Sequence, residues 1–258
     1  MTCWARFRST NGAKGFGIYE DGAVAEWEGD LFSARRPTGA TLAAGAFLLE
    51  SPCQPSKIVA LWNNFHALAA KLGKQPHSHP LYLIKPGTCV IGTQEPVLRP
   101  AGYAGKIAYE GELGIVIGRR CKDVPASDAG DYIFGYTCVN DVTAGDVLNE
   151  NPDFAQWVRS KGYDTFGCLG PVIATDFDWR GAHVQTLLDG VERQNYPLAD
   201  MVFAPAELVS GISHDMTLLP GDVIACGTSL GIGSVRDGST VEVRIDGIGS
   251  LINTLTPR

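Results

Sequence analysis

Short apolar stretches separated by turn residues run the whole length of this chain. "GFGIYEDGAVAEWEGD" (15–30) alternates apolar and polar positions and breaks at Asp21-Gly22 and Gly29-Asp30, a pattern that predicts hairpins. "ESPCQPSK" (50–57) interrupts with two prolines and polar residues, as a linker does. "KIVALWNNFHALAAKLGKQ" (57–75) begins as a strand and continues as a helix, with Phe65, Leu68 and Leu72 on one face and Gly73 as the stop. "HPLYLIKPGTCVIG" (79–92) is again strand-like, punctuated by Pro86-Gly87. Beyond residue 105 strands are expected over 107–117, 132–139, 171–174, 222–226 and 240–245. Helices are expected over 205–214 and around 144–158. Strands do not alternate with long helices, which disfavours a Rossmann or TIM-barrel plan. The expected architecture is mostly β with some helix (α+β). A small β-rich module fills residues 1–52 and a larger domain fills 53–258.

Composition narrows the partners. The 258 residues are 45% hydrophobic, ample for a sizeable core, and 31 Gly and 15 Pro fit a chain with many turns. A net charge of −7, with no block of Lys and Arg, argues against nucleic acid or an anionic membrane as the main partner. The longest apolar run, "LAAGAFLLE" (42–50), is too short to span a bilayer, and "MTCWA" has no apolar run behind it to make a secretory signal. Seven scattered cysteines without a CxxC pair read as reduced core thiols of a cytoplasmic protein.

The chemistry lies in "IAYEGELGIVIG" (107–118). Side chains alternate across a strand, so Glu110 and Glu112 share a face with Ala108, Gly114 and Val116, while Ile107, Tyr109, Leu113, Ile115 and Ile117 turn to the core. Two carboxylates so close repel, or one takes up a proton, unless a cation lies between them. A hard, oxygen-preferring ion such as Mg²⁺ or Mn²⁺ suits them. For an isolated Glu-x-Glu a solvated strand face is the simpler reading. A second stretch changes this: "YIFGYTCVNDVTAGD" (132–146) is another apolar strand, and it ends on Asn140-Asp141, where Asp141 can supply a third ligand.

The blocks "YEGELGIVIGRRC", "DYIFGYTCVNDVTAGD", "SKGYDTFGCLGPVI", "VERQ", "MVF", "PGDVIACGTSLGIGS" and "DGIGSLIN", in this order, resemble the fumarylacetoacetate hydrolase superfamily from about residue 57 to the end. Within it the chain looks like bacterial acylpyruvate hydrolases and 2-hydroxyhepta-2,4-diene-1,7-dioate isomerases. The resemblance implies a mixed, rolled β-sheet catalytic domain, a Mg²⁺ or Mn²⁺ site and a homodimer. It assigns the metal to Glu110, Glu112 and Asp141. It gives Lys161 the role of a positive charge or proton carrier beside the metal, and Thr228 a hydrogen bond to a substrate carboxylate. Family substrates are small 2-oxo acids, diketo acids or their enols. The metal acts as a Lewis acid toward the 2-oxo and carboxylate oxygens while negative charge grows on the enolate oxygen.

Two positions depart from the family. Its hydrolases activate water with a His and a Glu in "NYxxHAxE". Here, in "NNFHALAAKLG", one register puts Leu68 and Lys71 at those places and the other puts Ala69 in place of the Glu. His66 is left as a lone candidate base. Gly145 in "TAGD" stands where relatives carry an Arg, with Arg159 and Arg193 as candidates to compensate. His77 and His79 in "PHSHP" read as loop residues that a lid or metal loop can use. "GTSLGIG" (227–233) has neither dinucleotide nor Walker spacing. The expected activity is C–C hydrolysis of an acylpyruvate-like acid in aromatic-compound catabolism. The alternatives are isomerisation or decarboxylation of a similar acid, or a degenerate relative that only binds a metabolite.

Overall fold

The computed structural model describes residues 1–257. Its largest sheet has 12 strands. Four N-terminal strands, Arg35–Leu42, Ala23–Gly29, Lys14–Glu20 and Thr2–Ser9, line up in that order and join Gly167–Thr175 through the Cys3↔Ala174 register. The sheet continues through Ile133–Asp141, Gly111–Ile117, Val223–Ala225 and Lys57–Trp62 to Leu81–Pro86 at the far edge. The β-rich N-terminal segment thus extends the main sheet. Its second hairpin turns at Asp21 and Gly22, both left-handed (φ 49° and 80°), as the Asp-Gly pair requires. A second sheet joins Val191–Pro197, His183–Leu188, Thr240–Ile245, Gly249–Thr256 and Val97–Leu98, and a small third one joins Thr143–Ala144, Ile107–Tyr109 and Gly233–Val235.

The central strands are apolar on both faces because both are covered. Leu113, Ile115 and Ile117 pack with Val59, Leu61 and Cys226 on one side. Val116, Val139, Ile58, Ala60 and Ala225 pack on the other. The helix Pro205–Asp215 forms as expected, opened by Pro205 and by Glu207 reaching back to the Ala204 N–H (2.8 Å). The helix expected around 144–158 is instead two short ones, Gly145–Leu148 and Trp157–Lys161. The segment 57–75 switches from the strand Lys57–Trp62 to the helix His66–Lys71 at Asn63, whose φ is 56°.

The expected strand 107–117 does not exist as one element. Ile107–Tyr109 belongs to the small sheet and Gly111–Ile117 to the large one. Glu110 is the break: its N–H donates to Asn140 Oδ1 (3.1 Å) and its carbonyl accepts the Asp141 N–H (2.9 Å). The small flanking residues also do not leave an open face. A Cβ at Gly111 would strike Thr186 Oγ1, and one at Gly114 would sit 2.7 Å from Val139 Cγ2. These glycines admit close neighbours, so Glu112 lies in packed interior while Glu110 stays partly open.

All seven cysteines are free, six of them buried and Cys3 half-buried. Burial pushes the Cys53 thiol up to about 12, which leaves almost no thiolate to react. A thiol-reagent titration of the native protein is expected to modify one group rapidly, Cys3, and all seven only after unfolding. Rapid reaction of three or more would contradict this packing. Among the described residues no helix is long and apolar enough to cross a membrane.

Candidate metal centre

Register assembles the carboxylates. Asn140 pairs with Gly111 and Val139 with Glu112 across the antiparallel strands, so Asp141, at the end of Ile133–Asp141, arrives beside the start of Gly111–Ile117. Glu110, Glu112 and Asp141 each present an oxygen, and these oxygens lie within 4.8 Å of one another. Glu112 is fully buried. Its Oε2 accepts the Gly227 N–H (2.8 Å), while Oε1 is buried with no partner. Glu110 is the most open of the three, with a side chain 16% exposed, and its Oε1 accepts the Thr143 hydroxyl (2.5 Å).

Two lysines face this cluster. Lys161, at the end of Trp157–Lys161, donates to Asp141 Oδ2 (2.6 Å), Glu110 Oε1 (2.7 Å) and Thr143 Oγ1 (2.7 Å), so all three of its N–H donors are used. Lys85 projects from Leu81–Pro86, is 1% exposed, and donates to Asp141 Oδ1 and to the Phe166 carbonyl (2.8 Å). Sequence reasoning missed Lys85. The available signal was a lone lysine in the apolar run "LYLIKP", since a buried lysine must be paired.

The charges act on one another. Burial, then the Asp141 and Glu110 charges, raise the Glu112 carboxyl well above the usual range. Burial works in the same direction on Asp141, but Lys161 and Lys85 overcome it and hold Asp141 low. Burial would lower the Lys161 pKa, yet Asp141, Glu110 and Glu112 keep it raised and protonated. Once Glu112 is ionised too, three carboxylates against two lysines leave one negative charge. A divalent cation reverses it to one positive charge, which suits an anionic ligand. Hard oxygen donors, the partnerless Glu112 Oε1 and this charge balance all fit Mg²⁺ or Mn²⁺ held by Glu110, Glu112 and Asp141.

The remaining candidates fall elsewhere. Thr228 is buried, but its hydroxyl donates to the Gly111 carbonyl (3.0 Å) and accepts from Gln194 Nε2 (2.8 Å). Gln194 also accepts the Gly111 N–H (3.0 Å), and the Tyr196 hydroxyl donates to the same Gly111 carbonyl (2.5 Å). The hydroxyl expected on a substrate carboxylate therefore gives its hydrogen to the backbone between the two glutamates. Gln194 and Tyr196 complete this clamp, and in the sequence only "VERQ" hinted at them. His66 is exposed on the first turn of His66–Lys71 and bonds to none of the cluster residues, while the adjacent Phe65 is buried edge-on to Tyr196 (4.9 Å). Lys71 is exposed and Leu68 packs against the core. Arg159 pairs with Glu150, Arg193 is exposed, His77 packs on Trp62 (ring centroids 6.1 Å) and His79 is exposed. At Gly145 an added Cβ would meet only the Lys106 carbonyl, at 3.6 Å, so space does not forbid a side chain there.

Comparison with known proteins shows the family. Residues 57–256 match the family described as fumarylacetoacetate (FAA) hydrolase C-terminal, and residues 4–52 match one described as Rv2993c-like, N-terminal. Protein Rv2993c of Mycobacterium tuberculosis is 43% identical over 208 residues, which cover 80% of this chain and 77% of that protein. The crystal structure of 2-hydroxyhepta-2,4-diene-1,7-dioate isomerase from Mycobacterium marinum superposes with a TM-score of 0.91 at 35% identity, covering 100% of this chain and 99% of that one. Maleylpyruvate hydrolase from Sphingobium sp. SYK-6, solved in complex with manganese(II) and pyruvate, superposes with a TM-score of 0.79 at 27% identity, covering 100% and 99%. With its fold and about four fifths of its length in agreement, the chain belongs to the fumarylacetoacetate hydrolase family.

Proposed function

We propose that this protein is a Mg²⁺- or Mn²⁺-dependent enzyme that isomerises or decarboxylates a small 2-oxo acid through its enol, with C–C hydrolysis the lesser reading. One observation carries the preference. The carboxylate triad is flanked by two buried lysines, while neither register completes the water-activating dyad (Leu68 with Lys71 in one, Ala69 in place of the Glu in the other) and His66 is exposed to solvent. Hydrolysis needs a free base to deprotonate water. Here every carboxylate of the cluster is a candidate metal ligand and Lys161 is held protonated. Decarboxylation breaks its C–C bond with no proton removed, and isomerisation of an enol moves one proton from the 2-hydroxyl to carbon, so neither has to activate water.

The bound ion would supply Lewis acidity toward the 2-oxo and carboxylate oxygens. The chain's own residues do the rest. Lys161 Nζ, beside the partly open Glu110, offsets negative charge on the 2-oxygen and holds a proton at that side. Lys85 keeps Asp141 ionised from the buried side. Thr228, Gln194 and Tyr196 fix Gly111, which sets the angle between the two glutamates. The isomerase and the manganese- and pyruvate-bound hydrolase among its relatives support the substrate class.

A panel of oxaloacetate, a hydroxyheptadienedioate and acylpyruvates, each with Mg²⁺ and Mn²⁺, tests the reading. Tautomerisation, isomerisation or decarboxylation at about 1 s⁻¹ or faster is expected. Glu110→Ala should abolish it. Acylpyruvate hydrolysis as the fastest reaction would overturn the preference. Full turnover by Glu110→Ala would overturn the metal-site reading.

A further inference from the structure

The two asparagines after the strand Lys57–Trp62 have opposite circumstances. Asn64 is satisfied: its Oδ1 accepts the Phe203 N–H (2.9 Å) and its Nδ2 donates to the Cys226 carbonyl (2.9 Å). Asn63 is only 5% exposed, and both its amide nitrogen and its amide oxygen are buried without a partner. Its backbone is left-handed (φ 56°), a conformation that asparagine and glycine tolerate best. A buried amide with neither donor nor acceptor satisfied is costly and rare in a folded protein.

Its place in the sheet is the second observation. Ala60 pairs with Ala225, and Ala225 with Gly114. Two residues further on, Trp62, Gly227 and Glu112 come level, and the Gly227 N–H bond to Glu112 (2.8 Å) agrees with that register. Trp62 thus lies about two strand spacings, roughly 10 Å, from Glu112, and Asn63 is the next residue. The loop beside it, tied on by the Asn64–Cys226 bond, carries Ser229, fully buried with its hydroxyl also partnerless. Glu112 Oε1, the oxygen expected on the metal, has the same signature of burial without a partner.

We infer that the Asn63 amide is a specificity-determining group, which binds a second oxygen function, a carboxylate or carbonyl, at the far end of a small 2-oxo acid whose near end sits on the metal. This rests on the functional reading above. The amide offers both a donor and an acceptor and no charge. The Ser229 hydroxyl, buried and partnerless on the neighbouring loop, is a second neutral group on that side.

The test is calorimetric titration of the Mn²⁺-loaded protein with pyruvate and with two five-carbon acids that differ only at the far end, 2-oxopentanoate and 2-oxoglutarate. The wild type is expected to bind 2-oxoglutarate roughly tenfold more tightly than 2-oxopentanoate, the worth of a well-made hydrogen bond. Asn63→Gly, which keeps the left-handed backbone, should abolish that difference, leave pyruvate affinity unchanged and cause no fall in melting temperature. Asn63→Asp, which keeps the shape but adds a negative charge, should reverse the preference. An equal preference in Asn63→Gly and wild type, or none in the wild type, overturns the inference. Failure of the wild type to bind pyruvate overturns instead the 2-oxo acid reading, and this inference with it.

Discussion

Replacing Lys85 with methionine is expected to destabilise the protein by about 3 kcal/mol, a fall in melting temperature of roughly 6–12 °C. Methionine nearly preserves the volume, so the loss is electrostatic rather than a cavity. Lys85 is 1% exposed and gives its protons to Asp141, itself 1% exposed, and to the Phe166 carbonyl. Without it Asp141 keeps Lys161 but has a carboxylate oxygen facing apolar interior, and the Phe166 carbonyl loses a donor. The sign with pH follows from Asp141, whose folded pKa is held below its ordinary value by the two lysines despite burial. Its stabilisation is present above the unfolded value, near 4, and is lost as pH falls through the lower folded one. With Lys85 gone the folded value rises and the acid unfolding midpoint should move to higher pH. Adding Asp141→Asn to Lys85→Met should cost less than the two single changes summed, because the stranded charge is removed. A melting temperature within 1 °C of wild type for Lys85→Met would show that the pair is not what holds this edge of the sheet.

Lys85 also marks a limit of the sequence. Glu110, Glu112 and Asp141 could be read because each interrupts or ends an apolar run, and a carboxylate there needs a reason. Lys85 interrupts a run too, but "LYLIKP" is equally the pattern of an edge strand with a solvent-facing lysine. Only the pairing of Ile58 with Lys85 and the arrival of Asp141 from another strand make it interior. The break at Glu110 was hidden for the same reason. It is imposed by Asn140, thirty positions away, whose side chain takes the N–H that a continuous strand would use. Local turn chemistry was legible throughout: Asp21-Gly22 turns where expected and Pro205 opens its helix. Lengths failed where polar contacts cut an element, as in 144–158, where the Asn151 Oδ1–Asp153 N–H turn separates two short helices. Thr228 could be placed at the site but not given its role, because its partners Gly111 and Gln194 come from two other strands.

Metal should act on stability through Glu112. In metal-free protein this carboxyl is fully buried and raised by burial and by the Asp141 and Glu110 charges. A group raised on folding stabilises fully below its unfolded pKa, near 4.3, and that contribution is lost as pH climbs through the raised folded value. The chelator-treated protein is therefore expected to lose stability between pH 5 and pH 8. Saturating Mn²⁺ or Mg²⁺ should restore it by taking the charge on Glu112. At a hundredfold excess over the dissociation constant the gain is about 2.7 kcal/mol, or roughly 5–11 °C in melting temperature. Because binding displaces a proton, metal affinity should rise over the same pH range. Glu112→Gln separates these effects. The glutamine amide oxygen still accepts the Gly227 N–H, so the loop stays tied, but no charge is buried. This variant, metal-free at pH 8, should melt above metal-free wild type, match it near pH 5, and gain little from Mn²⁺. Were Glu112→Gln to melt lower at pH 8, or to gain as much from Mn²⁺ as wild type does, Glu112 would be a structural acceptor for Gly227 and the centre would have to be built on Glu110 and Asp141 without it.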